Sequence, residues 1–375
     1  MNNNIQQYKP GEHPDLPPPR NLVGPIAWVR EHLLSSPTNI ILTFLTAWLL
    51  IKAVPPGLDW AFFDAVFVGE DRNACRAKGD GACWAFISER FELFTYGFYP
   101  EAERWRVNLA FVLLIVALIP ILFDKVPFRK IGLYFAMVYP FIAGYLLIGG
   151  DFLFFSLTPV PTTQFGGFML TLVVGITGIA FSLPIGILLA LGRQSKLPII
   201  RVFCVSFIEF IRGVPLITLL FVASTMLSYF LPPGTNFDLL LRVLIMVTLF
   251  SSGYMAEVIR GGLQAIPKGQ TEAADAMGLK YWQAMRLIVL PQALKISIPG
   301  IVNTFIGLYK DTTLVIIIGL LDPLGIGRAS LSDTKWTGLS NEVYLFVAIF
   351  FFISCFAMSR YSLYLERKLE TGHKR

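Results

Sequence analysis

The feature that most constrains this chain is a series of apolar runs about as long as a membrane-spanning helix. A helix needs about 20 apolar residues to cross the hydrocarbon of a bilayer. Charged residues make up only 15% of the chain, whereas they are about a quarter of a typical soluble domain. The runs are continuous rather than alternating, so they indicate helices and not the strands of a membrane barrel. We therefore predict an all-α polytopic membrane protein.

About eight transmembrane helices are predicted from these runs. Their approximate limits are residues 37–54, 106–123, 131–149, 167–191, 202–231, 239–259, 296–320 and 343–361. The fifth run is interrupted at Glu209-Phe-Ile-Arg-Gly-Val-Pro215, whose proline lacks the amide donor that a helix interior needs. The first 36 residues lack the basic start, apolar run and cleavage site of a signal peptide. The first run is therefore expected to remain as a true span.

The charges of the connections predict the orientation of the chain. Lys and Arg collect in loops that stay in the cytoplasm, and the short connections at 124–130 and 192–201 are basic. The long loop at 55–104 instead carries nine acidic and five basic residues, which favours the outside. Both termini are accordingly expected inside. This asymmetry explains the net charge of +6 without a nucleic-acid partner.

A polar stretch at 257–291 lies between two apolar runs and is placed inside by this topology. We predict that it forms two short helices that meet at Gly278, because glycine permits turns that strain other residues. Leu290-Pro291 is expected to end the second helix. The stretch is either a docking site, which its small alanines would let a partner approach closely, or an amphipathic helix pair without a partner.

Several short motifs lie in and around this stretch. Glu272-Ala-Ala, Gly278 and Leu290-Pro291 have the spacing of the EAA loop, and the chain resembles the permease subunits of bacterial ABC importers. Other motifs resemble the polar amino acid branch, the histidine/glutamine-type permeases. They are Thr171-Leu, Glu209-Phe-Ile-Arg-Gly-Val-Pro-Leu, Tyr254-Met-Ala-Glu-Val-Ile-Arg-Gly-Gly, Pro267-Lys-Gly-Gln, Leu290-Pro-Gln-Ala and Lys310-Asp-Thr-Thr-Leu. The resemblance covers about residue 166 to the C-terminus. The three preceding spans resemble those of the larger permeases of the general L-amino acid transporter of Gram-negative bacteria.

The resemblance implies a type I importer core of five helices preceded by three N-terminal helices. The implied organisation is a cytoplasmic tail at 1–36, an N-terminal extension at 37–160 with a periplasmic loop at 55–104, a permease core at 161–365 with a coupling loop at 260–295, and a cytoplasmic tail at 366–375. The implied function is ATP-driven import of L-amino acids from the periplasm across the bacterial inner membrane.

The resemblance also implies partners. The EAA loop of the family forms coupling helices that dock on a separate cytoplasmic ATPase dimer. The matching positions here are Glu272, Ala273, Ala274, Asp275, Gly278, Leu290 and Pro291. ATP and Mg²⁺ are expected on that ATPase, and not on this chain, which has no GxxxxGK[ST] phosphate loop and is not expected to be an enzyme. A periplasmic amino-acid-binding protein and a second permease, favoured as a homologue in a heterodimer, complete the implied assembly.

Polar residues within or at the ends of the spans are candidates for the substrate path, because charges in a bilayer usually face a cavity or a partner. The candidates are Glu209, Arg212, Tyr254, Glu257, Asn303, Thr304, Lys310 and Asp311. Sparse paired charges and hydroxyl groups suit a zwitterionic amino acid better than an apolar pore does. Glu209 and Arg212 are three residues apart on one helix face, and a structural ion pair between them is the alternative.

Four cysteines are present. Cys75 and Cys83 flank a Gly-Asp-Gly turn in the acidic loop, where an oxidising compartment would let them form a disulfide. Two unpaired thiols are the alternative. Cys204 and Cys355 lie in apolar runs and are expected to serve packing. The three histidines are all in the tails, and no cluster of metal ligands is evident.

Three other functions compete with an ATP-driven importer. An ion-gradient-driven secondary transporter predicts inverted repeats, which are not evident, and leaves the polar stretch at 257–291 unexplained. An ABC exporter subunit needs no docking surface for a binding protein. A membrane scaffold leaves the polar residues in the spans without a role.

Overall fold

The computed structural model describes residues 24–152, 155–230, 232 and 237–369, and most of these residues are helical. The α-helices within this part of the chain are α1 Pro25–His32, α2 Pro37–Leu58, α3 Arg72–Arg76, α4 Trp84–Glu89, α5 Phe91–Tyr96, α6 Arg104–Leu122, α7 Arg129–Ile148, α8 Gly167–Arg193, α9 Pro198–Gly213, α10 Leu216–Phe221, α11 Leu227–Phe230, α12 Leu239–Gln264, α13 Lys268–Ala276, α14 Tyr281–Ala284, α15 Leu290–Asp311, α16 Pro323–Ser330 and α17 Ser340–Leu369. Two short strands, β1 Gly150–Phe152 and β2 Phe155–Leu157, pair antiparallel and were not predicted.

Seven helical stretches in the described residues are long and apolar enough to cross a membrane, and a bent pair of helices adds an eighth if it counts as one span. The seven are Pro37–Phe63, Glu101–Leu122, Arg129–Ile148, Gly167–Arg193, Leu239–Gln264, Tyr281–Ile318 and Ser340–Leu369. The prediction of an all-α polytopic membrane protein with about eight transmembrane helices is confirmed.

The fifth predicted span is a bent pair. Helix α9 and the helical stretch from Leu216 to Met226 meet at 101°. Val214 and Pro215 both have extended backbone, with ψ of 132° and 140°. Proline has no amide donor and pushes the preceding residue out of the helical region, so the helix stops here. The interruption was predicted, but the size of the bend was not. The predicted end of the span at Leu231 lies outside the described residues.

The chain divides into two compact units, which are described separately. The described part of the first contains residues 24–66 and 73–82, and that of the second contains residues 67–72 and the chain from Cys83 onward. In the first unit, α2 continues through Pro55 and Pro56, and a π-turn extends it to Phe63. The predicted end of the first span at Val54 is therefore wrong. A proline carbonyl still accepts a hydrogen bond, and both prolines accept from the amide of Asp59.

In the second unit, the region expected to be an outer loop is largely helical. It contains α4, α5 and a 3₁₀ turn at Glu101–Glu103 that leads into α6. Arg106 at the start of α6 is fully buried, pairs with Glu103 at 3.1 Å and donates two hydrogen bonds to the carbonyl of Thr158. These contacts fix the start of α6 against the connection that leads into α8.

The core of the second unit is built around α8, α12 and α15. One apolar cluster includes Met169, Leu170, Val247 and Leu308. A second cluster, at the other ends of these helices, includes Ala190, Met255, Ile259 and Ala293 together with Ile208 of α9. The backbones of α12 and α15 touch at Gly262, where a Cβ would lie 2.5 Å from the carbonyl oxygen of Ala293. Small residues allow such close packing of membrane helices, and this crossing joins the two helices that line the candidate site.

Candidate functional site

A polar cavity lies between α12 and α15. Its volume is about 340 Å³, within the range of about 300–1,000 Å³ that ligand pockets occupy. The residues that line it are Phe250, Ser251, Tyr254, Asn303, Thr304, Gly307, Leu308 and Asp311. Four of the eight predicted path residues, Tyr254, Asn303, Thr304 and Asp311, thus face one space.

Helix geometry explains how these side chains meet. Asn303, Gly307 and Asp311 are spaced four residues apart, so they share one face of α15. Ser251 and Tyr254 are three apart on α12 and share a face in the same way. The hydroxyl of Thr304 donates to the carbonyl of Gly300 at 2.9 Å. The lining therefore combines one carboxyl group with amide and hydroxyl groups.

Two lining groups have unused hydrogen-bonding capacity. The Ser251 hydroxyl is buried and has no hydrogen-bond partner among the described residues. The Asn303 side chain is exposed in the cavity, and no side-chain hydrogen bond to it is formed within the described part of the chain. A buried polar group without a partner is destabilising, so a polar ligand would relieve the penalty at Ser251.

Next to the cavity, five residues form a charge cluster, Arg193, Glu209, Arg212, Glu257 and Arg260. Glu257 is at its centre. One carboxylate oxygen lies 2.8 Å from Arg193, and the other lies 2.9 Å from Arg260 and 3.7 Å from Arg212. The side chain of Glu257 is only 15% exposed. Three guanidinium groups therefore converge on one largely buried carboxylate.

Glu209 sits at the edge of the charge cluster. Its side chain is 55% exposed and pairs with Arg193 at 2.9 Å. Among the described ion pairs Glu209 has no contact with Arg212, so the alternative of a local Glu209–Arg212 pair is wrong. Arg193 at the end of α8 pairs with Glu209 of α9, and Glu257 of α12 contacts Arg212 of α9. These ion pairs between helices form in place of a pair between Glu209 and Arg212.

The eight predicted path residues therefore divide into three groups. Four line the cavity, three belong to the charge cluster, and Lys310 belongs to neither. Sequence reasoning missed Ser251 and Gly307. Their spacing of three residues from Tyr254 and four from Asn303 puts them on the same helix faces as those residues and could have identified them. Sequence reasoning also missed Arg193, because a basic residue in a connection that is predicted to be inner is already explained by the positive-inside rule.

The coupling segment, residues 265–291, follows the charge cluster along the chain. Helix α13 ends in a Schellman motif, in which Leu279 donates to the carbonyl of Ala274 at 3.1 Å and Gly278 donates to that of Asp275 at 2.9 Å. Gly278 has φ +73°, a backbone conformation that favours glycine. The predicted turn between two helices at Gly278 is confirmed.

The side chains of the coupling segment divide into inward and outward sets. Glu272, Ala273, Asp275 and Pro291 are exposed, and Leu290 is half-buried. Ala274 is buried, so its small size serves internal packing and not the approach of a partner, which corrects that interpretation. An exposed apolar patch borders Gly278, formed by Met277, Tyr281, Trp282 and Leu287. Such a patch is typical of an interaction surface.

Pro291 does not end a helix, and this prediction is wrong. The chain is helical without a break from Tyr281 to Ile318, so the seventh span begins well before the predicted residue 296. A π-turn at Met285–Val289 precedes the proline, and the amide of Leu290 donates to the carbonyl of Met285. The wider π-turn accommodates a residue that has no amide donor. The side chain of Gln292 donates to the carbonyl of Ile288 at 2.9 Å.

The cysteines differ in state. Cys75 and Cys83 are each disulfide-bonded. Cys204 is buried and free, and Cys355 is half-buried and free. The two free thiols lie in the apolar helices α9 and α17, which is compatible with packing.

Comparison with known proteins identifies the family. Residues 182–371 match the model of the family described as "Binding-protein-dependent transport system inner membrane component". The inner membrane amino-acid ABC transporter permease protein YhdY of Escherichia coli is 50% identical over 96% of this chain and 97% of its own length. The glutamate/glutamine/aspartate/asparagine transport system permease protein BztC of Rhodobacter capsulatus is 47% identical, with 96% of each chain covered.

A solved structure described as an amino acid ABC transporter with histidines is also similar. It is 30% identical over 53% of this chain and 91% of the other, with a TM-score of 0.47. The extent of the sequence matches is decisive, because the two relatives align over almost the whole chain, including the three N-terminal spans. The chain belongs to the family of binding-protein-dependent transport system inner membrane components.

Proposed function

We propose that this chain is the permease subunit of an ATP-driven importer that carries L-amino acids from the periplasm into the cytoplasm. Family membership supports the role of permease. The names of the two relatives, one an amino-acid permease and the other a glutamate/glutamine/aspartate/asparagine permease, support amino acids as substrates. The basic inner connections support an orientation with both termini in the cytoplasm.

One observation carries the proposal: the two helices that line the polar cavity are also the two helices that flank the coupling segment. Helix α12 contributes Tyr254 to the cavity and ends at Gln264, immediately before the coupling segment. The helical stretch Tyr281–Ile318 begins in the coupling segment and contributes Asp311 to the cavity. A force applied to the coupling segment therefore acts on both cavity walls without an intermediate element.

The cavity lining suits a zwitterion. The carboxylate of Asp311 would pair with the substrate ammonium group. The hydroxyl groups of Ser251 and Tyr254 and the amide of Asn303 would donate hydrogen bonds to the substrate carboxylate. Polar groups that are left unpaired when the wrong ligand binds give such a site its selectivity.

The energy would come from outside this chain. A separate cytoplasmic ATPase dimer would hold ATP and Mg²⁺ and bind the exposed patch of the coupling segment. Closure of that dimer would pull the coupling segments of two permeases together and open the cavity outward, where a periplasmic binding protein delivers substrate. The second permease is proposed to be a homologue that forms a heterodimer with this chain.

Reconstitution in proteoliposomes tests the proposal. The chain is inserted together with the homologous permease and the ATPase, and uptake of radiolabelled amino acids is measured with binding protein outside and ATP inside. We expect uptake that requires both ATP and binding protein. Omission of this chain, or replacement of ATP by a non-hydrolysable analogue, should abolish uptake. Uptake by this chain alone that follows an ion gradient and needs no ATP would instead support a secondary transporter.

A further inference from the structure

One arginine of the charge cluster has unused hydrogen-bonding capacity. Arg193 and Arg260 each donate to the carboxylate of Glu257, at 2.8 Å and 3.0 Å. Arg212 lies 3.7 Å from that carboxylate, which is beyond hydrogen-bond distance, and its side chain donates no hydrogen bond within the described part of the chain. A guanidinium group has five N–H donors and stays charged. Arg212 is therefore able to bind a further anion.

The position of Arg212 brings this guanidinium group to the wall of the polar cavity. Helices α9 and α12 pack closely at Gly253, where a Cβ would lie 2.9 Å from the side chain of Ile211 and 3.9 Å from Cγ of Arg212. The aliphatic part of Arg212 thus runs along α12, and its guanidinium group lies over the ring of Tyr254. Tyr254 lines the polar cavity, and the side chain of Arg212 is 36% exposed. The guanidinium group therefore lies at the border between the polar cavity and the charge cluster.

The charge balance of the cluster favours an anion at this border. The charge cluster has three arginines and two glutamates, so its net charge is +1. Charged side chains at membrane depth are costly and usually face a partner or a substrate path. The excess positive charge coincides with Arg212, the arginine whose pairing with Glu257 is weakest. One additional carboxylate beside Arg212 would make the charge cluster neutral.

The lining of the polar cavity has partners for a zwitterion but none for a second carboxylate. It contains one acidic residue, Asp311, and no basic residue among those described. In the proposed function, Asp311 pairs with the substrate ammonium group and neutral donors bind the α-carboxylate. An acidic amino acid has another carboxylate on its side chain, and a guanidinium group binds a carboxylate through two parallel, charge-assisted hydrogen bonds.

We propose that Arg212 binds the side-chain carboxylate of an acidic L-amino acid in the polar cavity and so makes glutamate and aspartate preferred substrates. This assignment rests on the proposed function and adds the substrate class to it. The guanidinium group would pair with the substrate from the Tyr254 side of the polar cavity, while Asp311 holds the ammonium group. Substrates without the second carboxylate would leave Arg212 without a hydrogen-bonded anion.

Three variants separate a direct contact from a general change in charge. Arg212→Gln removes the charge and the paired donors, whereas Arg212→Lys keeps the charge but not the planar arrangement of donors. Arg260→Gln is the matched control, because it removes one charge from the same cluster and a partner of Glu257 that is closer than Arg212, at 2.9 Å against 3.7 Å. Arg260 makes no hydrogen bond, ion pair or cation–π contact with a residue of the cavity lining in the described part of the chain.

The test compares two substrates of nearly the same shape that differ in side-chain charge. Proteoliposomes contain this chain or a variant with the homologous permease and the ATPase, with ATP inside and binding protein outside. Equimolar L-glutamate and L-glutamine, each with its own radiolabel, are added together. The ratio of the two uptake rates is compared between variants, because any preference of the binding protein is the same for all of them.

We expect Arg212→Gln to lower the ratio of glutamate to glutamine uptake about tenfold, the effect of losing a hydrogen bond to a charged group. Arg212→Lys should lower it less, and Arg260→Gln should keep the wild-type ratio even where total uptake falls. An unchanged ratio in Arg212→Gln, an equal fall in Arg260→Gln, or no glutamate uptake by a wild-type importer that carries glutamine would overturn the proposal and leave the proposed function intact. The absence of all ATP-dependent amino acid uptake would overturn the proposed function itself, and this proposal with it.

Discussion

The guanidinium carbon of Arg212 lies 5.8 Å from the centroid of the Tyr254 ring. Tyr254 lines the polar cavity, and Arg212 belongs to the charge cluster through its contact of 3.7 Å with Glu257. A cation over an aromatic face contributes about 0.5–1 kcal/mol at an exposed site and about 2 kcal/mol or more when water is excluded. This contact therefore joins the polar cavity to the charge cluster, and a rearrangement of the charge cluster changes the cavity wall.

Gly307→Leu tests whether the polar cavity is the substrate path. Gly307 lines the cavity, and a Cβ at this position meets no atom within 4 Å. Leucine favours a helix over glycine by about 1 kcal/mol, so the variant should fold at least as well as the wild type. We expect ATP-dependent amino acid uptake to fall to background in the reconstituted importer.

Gly57→Leu is the matched control for Gly307→Leu. Gly57 also lies in a helix with no atom within 4 Å of a built Cβ, but it lies in α2, in the first unit. Uptake should be unchanged in this variant. Wild-type uptake by Gly307→Leu, with normal insertion, would show that substrate does not pass through the polar cavity.

Glu257→Gln tests the charge cluster. The substitution keeps the shape of the side chain but leaves three guanidinium groups around a neutral amide. An exposed ion pair contributes about 0–1 kcal/mol, whereas loss of one partner of a buried pair costs about 3–5 kcal/mol. For a side chain that is 15% exposed, we expect destabilisation of about 2 kcal/mol, between these limits. Thermal unfolding in detergent measures it, and uptake should fall as well.

Glu209→Gln is the internal comparison for Glu257→Gln. Glu209 is 55% exposed and contacts only Arg193 among the described ion pairs. Its replacement should cost less than about 1 kcal/mol and should lose this effect at high salt. Equal destabilisation by the two variants would contradict a cluster centred on Glu257.

Hydropathy was sufficient to predict most spans, because membrane helices must be long, apolar and internally hydrogen-bonded. The turn at Gly278 was predictable for a local reason, since few other residues adopt its positive φ. The same local reasoning failed at Pro291. Whether a proline ends a helix depends on the turn before it, and the π-turn at Met285–Val289 is not encoded in any simple pattern.

The site was predicted only in part, for a related reason. Sequence spacing places Asn303 and Asp311 on one face of a helix, but only packing places Tyr254 on α12 opposite them. Arg193 was missed because its contact with Glu257 joins residues that are 64 positions apart. Interactions between helices fix both features, and no local signal reports them.

Gly278→Ala and Gly278→Asn separate backbone conformation from size at the coupling segment. An Ala residue in the left-handed region costs about 1–2 kcal/mol, whereas Asn adopts that region more readily than other residues with a side chain. The structure has no atom within 4 Å of a built Cβ at this position, so Asn meets no clash within the chain. We expect Gly278→Ala to weaken the link between ATP hydrolysis and uptake, and Gly278→Asn to retain more of it. The measurement is the ratio of amino acid imported to ATP hydrolysed. Similar ratios for Ala and Asn would mean that the positive φ of Gly278 is not what matters.

Asp322 gives the second unit a predictable dependence on pH. It is buried outside the spans, at the start of α16, where its carboxylate accepts from the amide of Gly325 at 2.8 Å. Burial raises its pKa from 3.8 to about 6. The folded state therefore binds this proton more tightly than the unfolded state, so the free energy of unfolding should fall as pH rises from about 4 to 6, by at most about 3 kcal/mol. Asp322→Asn keeps an oxygen to cap α16 and does not titrate. Unfolding temperatures at pH 5 and pH 7 in one detergent should differ less in this variant than in the wild type, and an identical difference would exclude Asp322 as the source.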